Sequence, residues 1–132
     1  MMALIHEELT YKINGLLFKV HKDLGRYRNE KQYGDYFEEF LKKENIDYQR
    51  EFRFKDVEKG ETKDRCVVDF LIDNKIILEF KNKDFLRIDD YYQIKRYLVT
   101  LNLSLGILIN FRQPRLIPKR ILNPIKILPS FS

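Results

Sequence analysis

Apolar residues recur at helical spacing in three parts of the chain. The first stripe repeats every three or four positions over residues 7–24 and is followed by Gly25, a typical residue at a helix end. A second stripe of the same kind covers residues 30–44, and a third covers residues 89–102, where two aspartates suit a helix start. The spacing predicts three amphipathic helices.

The middle of the chain changes to the period of strands. Alternating or continuous apolar runs predict strands over residues 48–54, 65–72, 75–81 and 105–111. The order predicts an α/β fold with a mixed sheet. The first three strands form an antiparallel meander, the third helix crosses over to a further parallel strand, and helices flank the sheet. Residues 112–132 hold all four prolines and predict an irregular tail.

The connection between the strands at 65–72 and 75–81 decides where their charged residues point. A two-residue loop would turn Asp69 away from Glu79, whereas a three-residue loop, 73–75, would place both on one face. We predict the three-residue loop or an equivalent bulge.

Composition narrows the class of protein. The 132 residues, 44% of them hydrophobic, predict one folded domain over 1–132. The single cysteine, Cys66, excludes an internal disulfide framework. Glu7 and Glu8 follow too early for a signal peptide, and the longest apolar run, residues 101–111, is too short to span a bilayer. These features predict a cytoplasmic protein with no membrane partner.

The net charge of +5 is concentrated at one end of the sequence. Residues 112–132 contain no acidic side chain, so the part before them is formally neutral. This pattern excludes a general polycation and predicts a neutral body with a local basic tail. The basic residues of the tail are Arg112, Arg115, Lys119, Arg120 and Lys126.

Three charged residues lie inside strands that are otherwise apolar. Asp69 interrupts the first of these strands, and Glu79 and Lys81 end the next, on one face of it. A buried charge without a partner is costly, so these residues need each other or a ligand. Two carboxylates can hold Mg²⁺, and an adjacent lysine can stabilise charge on a phosphate. An ion-pair cluster on a solvated face is the alternative.

The same residues carry a family resemblance. Asp69, then Glu79-Phe80-Lys81, then Gln93 with Tyr97 four residues on, resemble the D…ExK and QxxxY motifs of the PD-(D/E)xK nuclease superfamily. More narrowly, the chain looks like the bacterial GxxExxY proteins over residues 9–121.

Two features bear on the narrower resemblance. Glu30-Lys31-Gln32-Tyr33 matches the ExxY part of the motif. The glycine that gives the GxxExxY proteins their name would fall at position 27, where this chain has Tyr27.

The resemblance implies a restriction-endonuclease-like core and a metal-dependent nuclease acting on DNA, with Mg²⁺ or Mn²⁺ as cofactor. It implies that Asp69 and Glu79 are metal ligands, with the Phe80 carbonyl as a third, and that Lys81 is the catalytic lysine.

Three further roles are implied by the resemblance. Glu30 would be an auxiliary carboxylate, and Gln93 and Tyr97 would orient the active site or the nucleic-acid strand. On local grounds Glu30 also suits a helix N-terminus, Gln93 a solvated helix face and Tyr97 an apolar core.

Two other functions remain open. A nucleic-acid-binding module without catalysis would depend on the basic tail. A protein-interaction domain would use the apolar residues of the tail to dock on a partner or to form a homodimer. These residues are Ile121, Leu122, Ile125, Ile127 and Leu128.

Overall fold

The computed structural model describes residues 5–56, 59–60 and 62–125. The three predicted helices and four predicted strands are confirmed, each within one residue of its predicted ends, and a fifth strand follows them. The elements in chain order are α1 (Glu7–Leu24), α2 (Glu30–Lys43), β1 (Tyr48–Phe54), β2 (Cys66–Ile72), β3 (Ile76–Lys81), α3 (Ile88–Leu101), β4 (Leu105–Asn110) and β5 (Lys119–Leu122).

The strands form one mixed sheet in the order β1-β2-β3-β4-β5. The pairs β1–β2 and β2–β3 are antiparallel, and β3–β4 is parallel. Helix α3 provides the crossover that a parallel pair requires. The predicted α/β architecture, an antiparallel meander followed by a crossover to a parallel strand, is therefore confirmed.

The β2–β3 connection has the predicted length. Ile72 pairs with Ile76, so residues 73–75 form the three-residue loop. Asp73 and Asn74 have φ angles of 51° and 53°, in the left-handed region that Asp and Asn tolerate better than most residues. The loop chemistry thus sets a register in which Asp69 and Glu79 approach each other.

The prediction of an irregular segment over residues 112–132 is wrong for Lys119–Leu122. These residues form β5, antiparallel to β4, with Leu105 opposite Leu122. Ile121 is buried and Leu122 packs against the core, so both apolar side chains are used within the chain. The strand forms because β4 would otherwise leave buried backbone groups unpaired. Lys126, Ile127 and Leu128 lie outside the described residues.

Two apolar cores cover the two faces of the sheet. The α1–α2 core joins both helices to one face and includes Ile13, Phe37, Phe70, Leu78 and Phe80. The α3 core joins α3 to the other face and includes Val68, Ile77, Ile94, Tyr97 and Leu108. None of the helices in the described part of the chain combines the length and apolar character that a bilayer span requires.

Helix α3 approaches β4 closely at Gly106. A Cβ atom there would lie 2.6 Å from Cγ2 of Ile94 and 3.2 Å from Cγ1 of Ile77. We expect Gly106→Ala to lower the free energy of unfolding by about 1–2 kcal/mol, because overpacking forces neighbouring groups apart. Urea denaturation measures the change.

Gly15 offers a matched control within α1. Nothing lies within 4 Å of a Cβ built there, so Gly15→Ala is expected to stabilise the protein by about 0.5–1 kcal/mol through helix propensity. Equal stability of the two variants would contradict the close approach at Gly106.

Candidate active site

Strands β2 and β3 separate at the two acidic residues. Backbone pairing covers Phe70–Ile72 against Ile76–Leu78. Beyond it, the Asp69 N–H donates to Oε1 of Glu79 at 3.0 Å, and the Phe80 N–H donates to Oδ2 of Asp69 at 2.6 Å. Each carboxylate therefore satisfies a backbone donor of the opposite strand, and both are held within the fork between β2 and β3.

Strand β2 also changes face at this point. Val68 packs in the α3 core, whereas Phe70, two residues later, packs in the α1–α2 core. Side chains two apart on a regular strand share one face, so β2 turns over at Asp69. On β1, Glu51 stands opposite this position with φ 51°, a conformation that costs a non-glycine residue about 1–2 kcal/mol. The irregular backbone of β1 and β2 therefore lies at one of the candidate catalytic carboxylates, Asp69.

Burial and mutual repulsion disfavour two negative charges in the fork. Glu79 is 7% exposed, and burial, together with the charge of Asp69, raises its pKa to about 8. Burial also raises the pKa of Asp69, and the negative charge of Glu30 raises it further. Without a cation, the pair therefore retains a proton near neutral pH.

Lys81 lies beside this pair. Its Nζ is 3.7 Å from Oε2 of Glu79, with 23% of its side chain exposed. Its charge opposes the upward shifts in the pKa values of both Asp69 and Glu79. The three residues therefore form one electrostatic unit that is open to solvent on the lysine side.

Glu30 faces the fork from the start of α2. Asn29 caps this helix, because its Oδ1 accepts from the Gln32 N–H at 2.8 Å and its own N–H donates to Oε1 of Gln32 at 3.0 Å. The cap fixes the first turn, and the exposed Glu30 raises the pKa values of both Asp69 and Glu79. The structure thus brings Glu30 close to the carboxylates of the fork.

A cleft of about 200 Å³ opens on the Asp69 side of the fork. Sequence reasoning missed the two β1 residues in its wall, Arg50 and Glu51. Arg50 is held by Asp35 at 2.6 Å and Glu38 at 3.1 Å. The residues that line the cleft are Glu30, Lys31, Gly34, Arg50, Glu51, Asp69, Phe70 and Phe80.

Gly34 lies against the guanidinium of Arg50 in this wall. A Cβ at Gly34 would lie 2.7 Å from Nη2 of Arg50, so a larger residue there would require the guanidinium to shift. Arg50 also lies over the ring of Phe70 at 5.7 Å. Its charge lowers the pKa of Asp69, which makes it the second cation that acts on this carboxylate. A charged residue in β1 and a glycine within α2 were the only sequence signals.

The two predicted α3 residues lie further from the carboxylates. Tyr97 is 6% exposed and packs edge-on against Phe54 at 5.0 Å. Burial raises its pKa to about 12, and the charge of Glu79 adds to the rise. Gln93, one turn earlier, is partly exposed. Within the described ranges, no hydrogen bond links either side chain to Asp69 or Glu79.

The donor set of the fork suits a hard divalent cation. One oxygen of each carboxylate accepts a backbone N–H, and the other oxygens are Oδ1 of Asp69 and Oε2 of Glu79, the latter beside the ammonium of Lys81. In the part of the chain that the structure describes, no three His, Cys, Asp or Glu side chains group closely enough to enclose a metal ion. Two carboxylates completed by a backbone carbonyl, waters or phosphate form a typical Mg²⁺ environment.

Comparison with known proteins gives one result on the family. Residues 7–121 match the family model of the PD-(D/E)XK nuclease superfamily. No curated protein and no solved structure matches the chain. The family match extends from the first residue of α1 into β5 and includes the whole fork, and the mixed sheet agrees with the restriction-endonuclease-like fold. The chain therefore belongs to the PD-(D/E)XK nuclease superfamily.

Proposed function

We propose that this protein is a metal-dependent nuclease that hydrolyses phosphodiester bonds of DNA, with Mg²⁺ or Mn²⁺ as its cofactor. The observation that carries the proposal is the pair of carboxylates in the fork, with the ammonium of Lys81 3.7 Å from Glu79. Membership of the nuclease superfamily supports it.

Each residue of the fork has a part in this reaction. Asp69 and Glu79 would hold the cation, together with the main-chain carbonyl of Phe80. When bound, the divalent ion supplies positive charge that polarises the scissile phosphate. Lys81 donates hydrogen bonds to the phosphate oxygen on which negative charge grows, and orients the attacking water. Glu30, which lines the cleft together with Asp69, would accept a hydrogen bond from a water bound there.

The α3 residues have positioning roles in the proposal. Tyr97 supports the sheet below Glu79, because it is buried against Phe54 and the charge of Glu79 contributes to its raised pKa. Gln93 is partly exposed one helical turn away, where it can donate to a nucleic-acid strand.

Within the superfamily, we infer that the chain is related to the GxxExxY proteins. The support is Glu30 and Tyr33 at the start of α2: Glu30 faces the fork, and Tyr33 donates to the Gly25 carbonyl at 2.6 Å. Tyr27 replaces the glycine of that motif. Because Gly25 already supplies the positive φ of 77° in this loop, the loop forms without a second glycine.

The proposal also places the protein in the cytoplasm and includes a homodimer as its oligomeric state. Cys66, buried in the α3 core, is the single cysteine of the sequence, so the chain cannot form an internal disulfide, which suits the reducing cytoplasm. Ile121 and Leu122 pack within the chain, so a homodimer would need other apolar groups, such as the exposed Ile125. Gel filtration tests the homodimer.

Metal removal tests the proposed reaction. The protein is incubated with labelled single-stranded, duplex and flapped DNA. We expect it to cut at least one of these substrates in the presence of Mg²⁺ or Mn²⁺. Excess EDTA should lower the rate by at least ~100-fold, because the carboxylates of the fork then carry no cation. Addition of Mg²⁺ beyond the EDTA should restore the rate.

An Asp69→Asn variant purified in parallel serves as the control for contaminating nucleases. Cleavage that persists in this variant belongs to a contaminant. If the protein binds DNA but cuts none of these substrates with either metal ion, the proposed function is wrong.

A further inference from the structure

Three segments of the chain meet just beyond Lys81. The Asn82 side-chain amide donates to the Arg28 carbonyl, and Nε of Arg112 donates to Oδ1 of Asn82 at 2.6 Å. Nε of Arg26 donates to the Arg112 carbonyl at 2.7 Å. The α1–α2 loop, the residues after β3 and the residue after Phe111 therefore form one connected surface. Asn82 lies about 10 Å along the chain from Glu79.

An exposed aromatic ring on this surface lies close to two cations. Tyr27 is 73% exposed, and the guanidinium carbons of Arg26 and Arg112 each lie 5.2 Å from its ring centroid. We refer to Arg26, Tyr27 and Arg112 as the Tyr27 cluster. Side-chain contacts hold both guanidiniums in place, so the cluster is preorganised.

The fold does not need the ring of Tyr27. The neighbouring Tyr33 secures the α1–α2 loop, because its hydroxyl donates to the Gly25 carbonyl and its ring stacks on Phe111 at 4.0 Å. Tyr27 belongs to neither apolar core. An exposed aromatic ring whose structural contacts are two arginines resembles a binding surface more than a packing element.

The charges of the cluster remain available to a ligand. Arg112 pairs with Asp84 at 3.1 Å, but Asp84 is 77% exposed, and pairs of this kind contribute little. Among the ranges that the structure describes, Arg26 has no acidic partner. The cluster thus offers positive charge and an aromatic face beside the carboxylates of the fork.

We propose that the Tyr27 cluster binds a single-stranded segment of the DNA substrate on the Lys81 side of the fork. An unpaired base stacks against Tyr27 and the flanking guanidinium planes, and the arginines bind its phosphate. The inference rests on the proposed function, since it names the substrate class of that same site. Such stacking favours unpaired bases, because the bases of a duplex are stacked on each other and present only their edges.

Fluorescence anisotropy with labelled oligonucleotides tests the proposal. The measurement is made in EDTA, so that binding is read without cleavage, and it compares a single strand with its own duplex. We expect Tyr27→Ala to weaken binding of the single strand by about 5- to 150-fold, as loss of one base–aromatic stack does. Binding of the duplex should change less than about 2-fold, because phosphate contacts dominate there.

Two variants separate stacking from a general effect. Tyr27→Phe keeps the ring and should retain single-strand affinity. Tyr11→Ala removes another exposed tyrosine, 82% accessible on α1, and should leave both affinities unchanged. An equal effect of Tyr27→Ala and Tyr11→Ala, or an equal loss on single strand and duplex, would overturn the proposal.

The two proposals fail in different ways. If Mg²⁺-dependent cleavage occurs but Tyr27→Ala binds single strands normally, the nuclease assignment holds and the cluster assignment is wrong. If Tyr27 controls single-strand binding but no DNA is cut, the cluster assignment holds and the nuclease assignment is wrong.

Discussion

Lys81→Ala is expected to lower the rate of Mg²⁺-dependent cleavage by about 10²–10³-fold, the usual effect of removing a donor that stabilises developing charge. Among the residues that the structure describes, Lys81 is the cation that forms an ion pair with the fork, 3.7 Å from Glu79. Arg50 cannot replace it, because Asp35 and Glu38 hold its guanidinium. The rate is measured in a single turnover on the substrate that the wild-type protein cuts fastest.

The effect should appear in the chemical step and not in binding of the cation. Loss of a positive charge beside Asp69 and Glu79 leaves these ligands in place, so Mg²⁺ should still raise the melting temperature of Lys81→Ala. A variant that fails to fold would show no such shift.

Lys83 provides a matched control two residues further along the chain. Its Nζ pairs with Asp90 at 2.6 Å, so the ammonium is directed to α3. We expect Lys83→Ala to cut DNA within a few-fold of the wild-type rate. Full activity of Lys81→Ala, or an equal loss in both variants, would refute the role of Lys81.

Glu79→Gln is expected to abolish cleavage and yet stabilise the metal-free protein at high pH. Folding raises the pKa of Glu79 from its ordinary value of 4.5 to about 8, chiefly through burial. Between these two values the folded state holds a proton that the unfolded state releases, so stability falls as the pH rises. Glutamine carries no charge and avoids this loss.

The size of the stability difference between Glu79→Gln and the wild-type protein follows from the raised pKa of Glu79. One pKa unit corresponds to about 1.4 kcal/mol, so we expect Glu79→Gln to be more stable by about 2–4 kcal/mol near pH 9. The advantage should shrink steadily as the pH falls toward 5. Urea denaturation in EDTA over this pH range measures it, and Glu51→Gln, a change at an exposed carboxylate on β1, serves as the control.

Addition of Mg²⁺ should reverse the order of stability. A cation that binds only the folded state stabilises it, and the wild-type protein has both carboxylates to bind it. Glu79→Gln should gain much less. A variant that is less stable than wild type at high pH, or that Mg²⁺ stabilises equally, would contradict the assignment of Glu79 to a metal site.

Much of the fork could be predicted from the sequence, because the features that determine the fork are local. The period-2 pattern placed Glu79 and Lys81 on one side of β3, and Asp73 with Asn74 marked the loop that brings Asp69 opposite. The face change at Asp69 was not predictable, since it depends on side chains that replace backbone pairing between β2 and β3.

Other features depend on segments that are distant in the sequence. β5 has only four residues and lies between prolines, so its own pattern is weak, and the unpaired edge of β4 determines its position. The guanidinium of Arg50 lies against Gly34 of α2, which is distant in sequence and has no Cβ to displace it. The Tyr27 cluster joins residues from the two ends of the chain, and no short motif could have indicated it.

The left-handed backbone at Glu51 has a consequence for how the protein behaves at high concentration. β1 is an outer strand of the sheet, and a regular outer strand offers its free N–H and C=O groups to any other extended chain. The break at Glu51 interrupts that row midway, and Arg50, Glu51 and Arg53 place charge along it. The distortion that accompanies the fork therefore also protects this border of the sheet against aggregation.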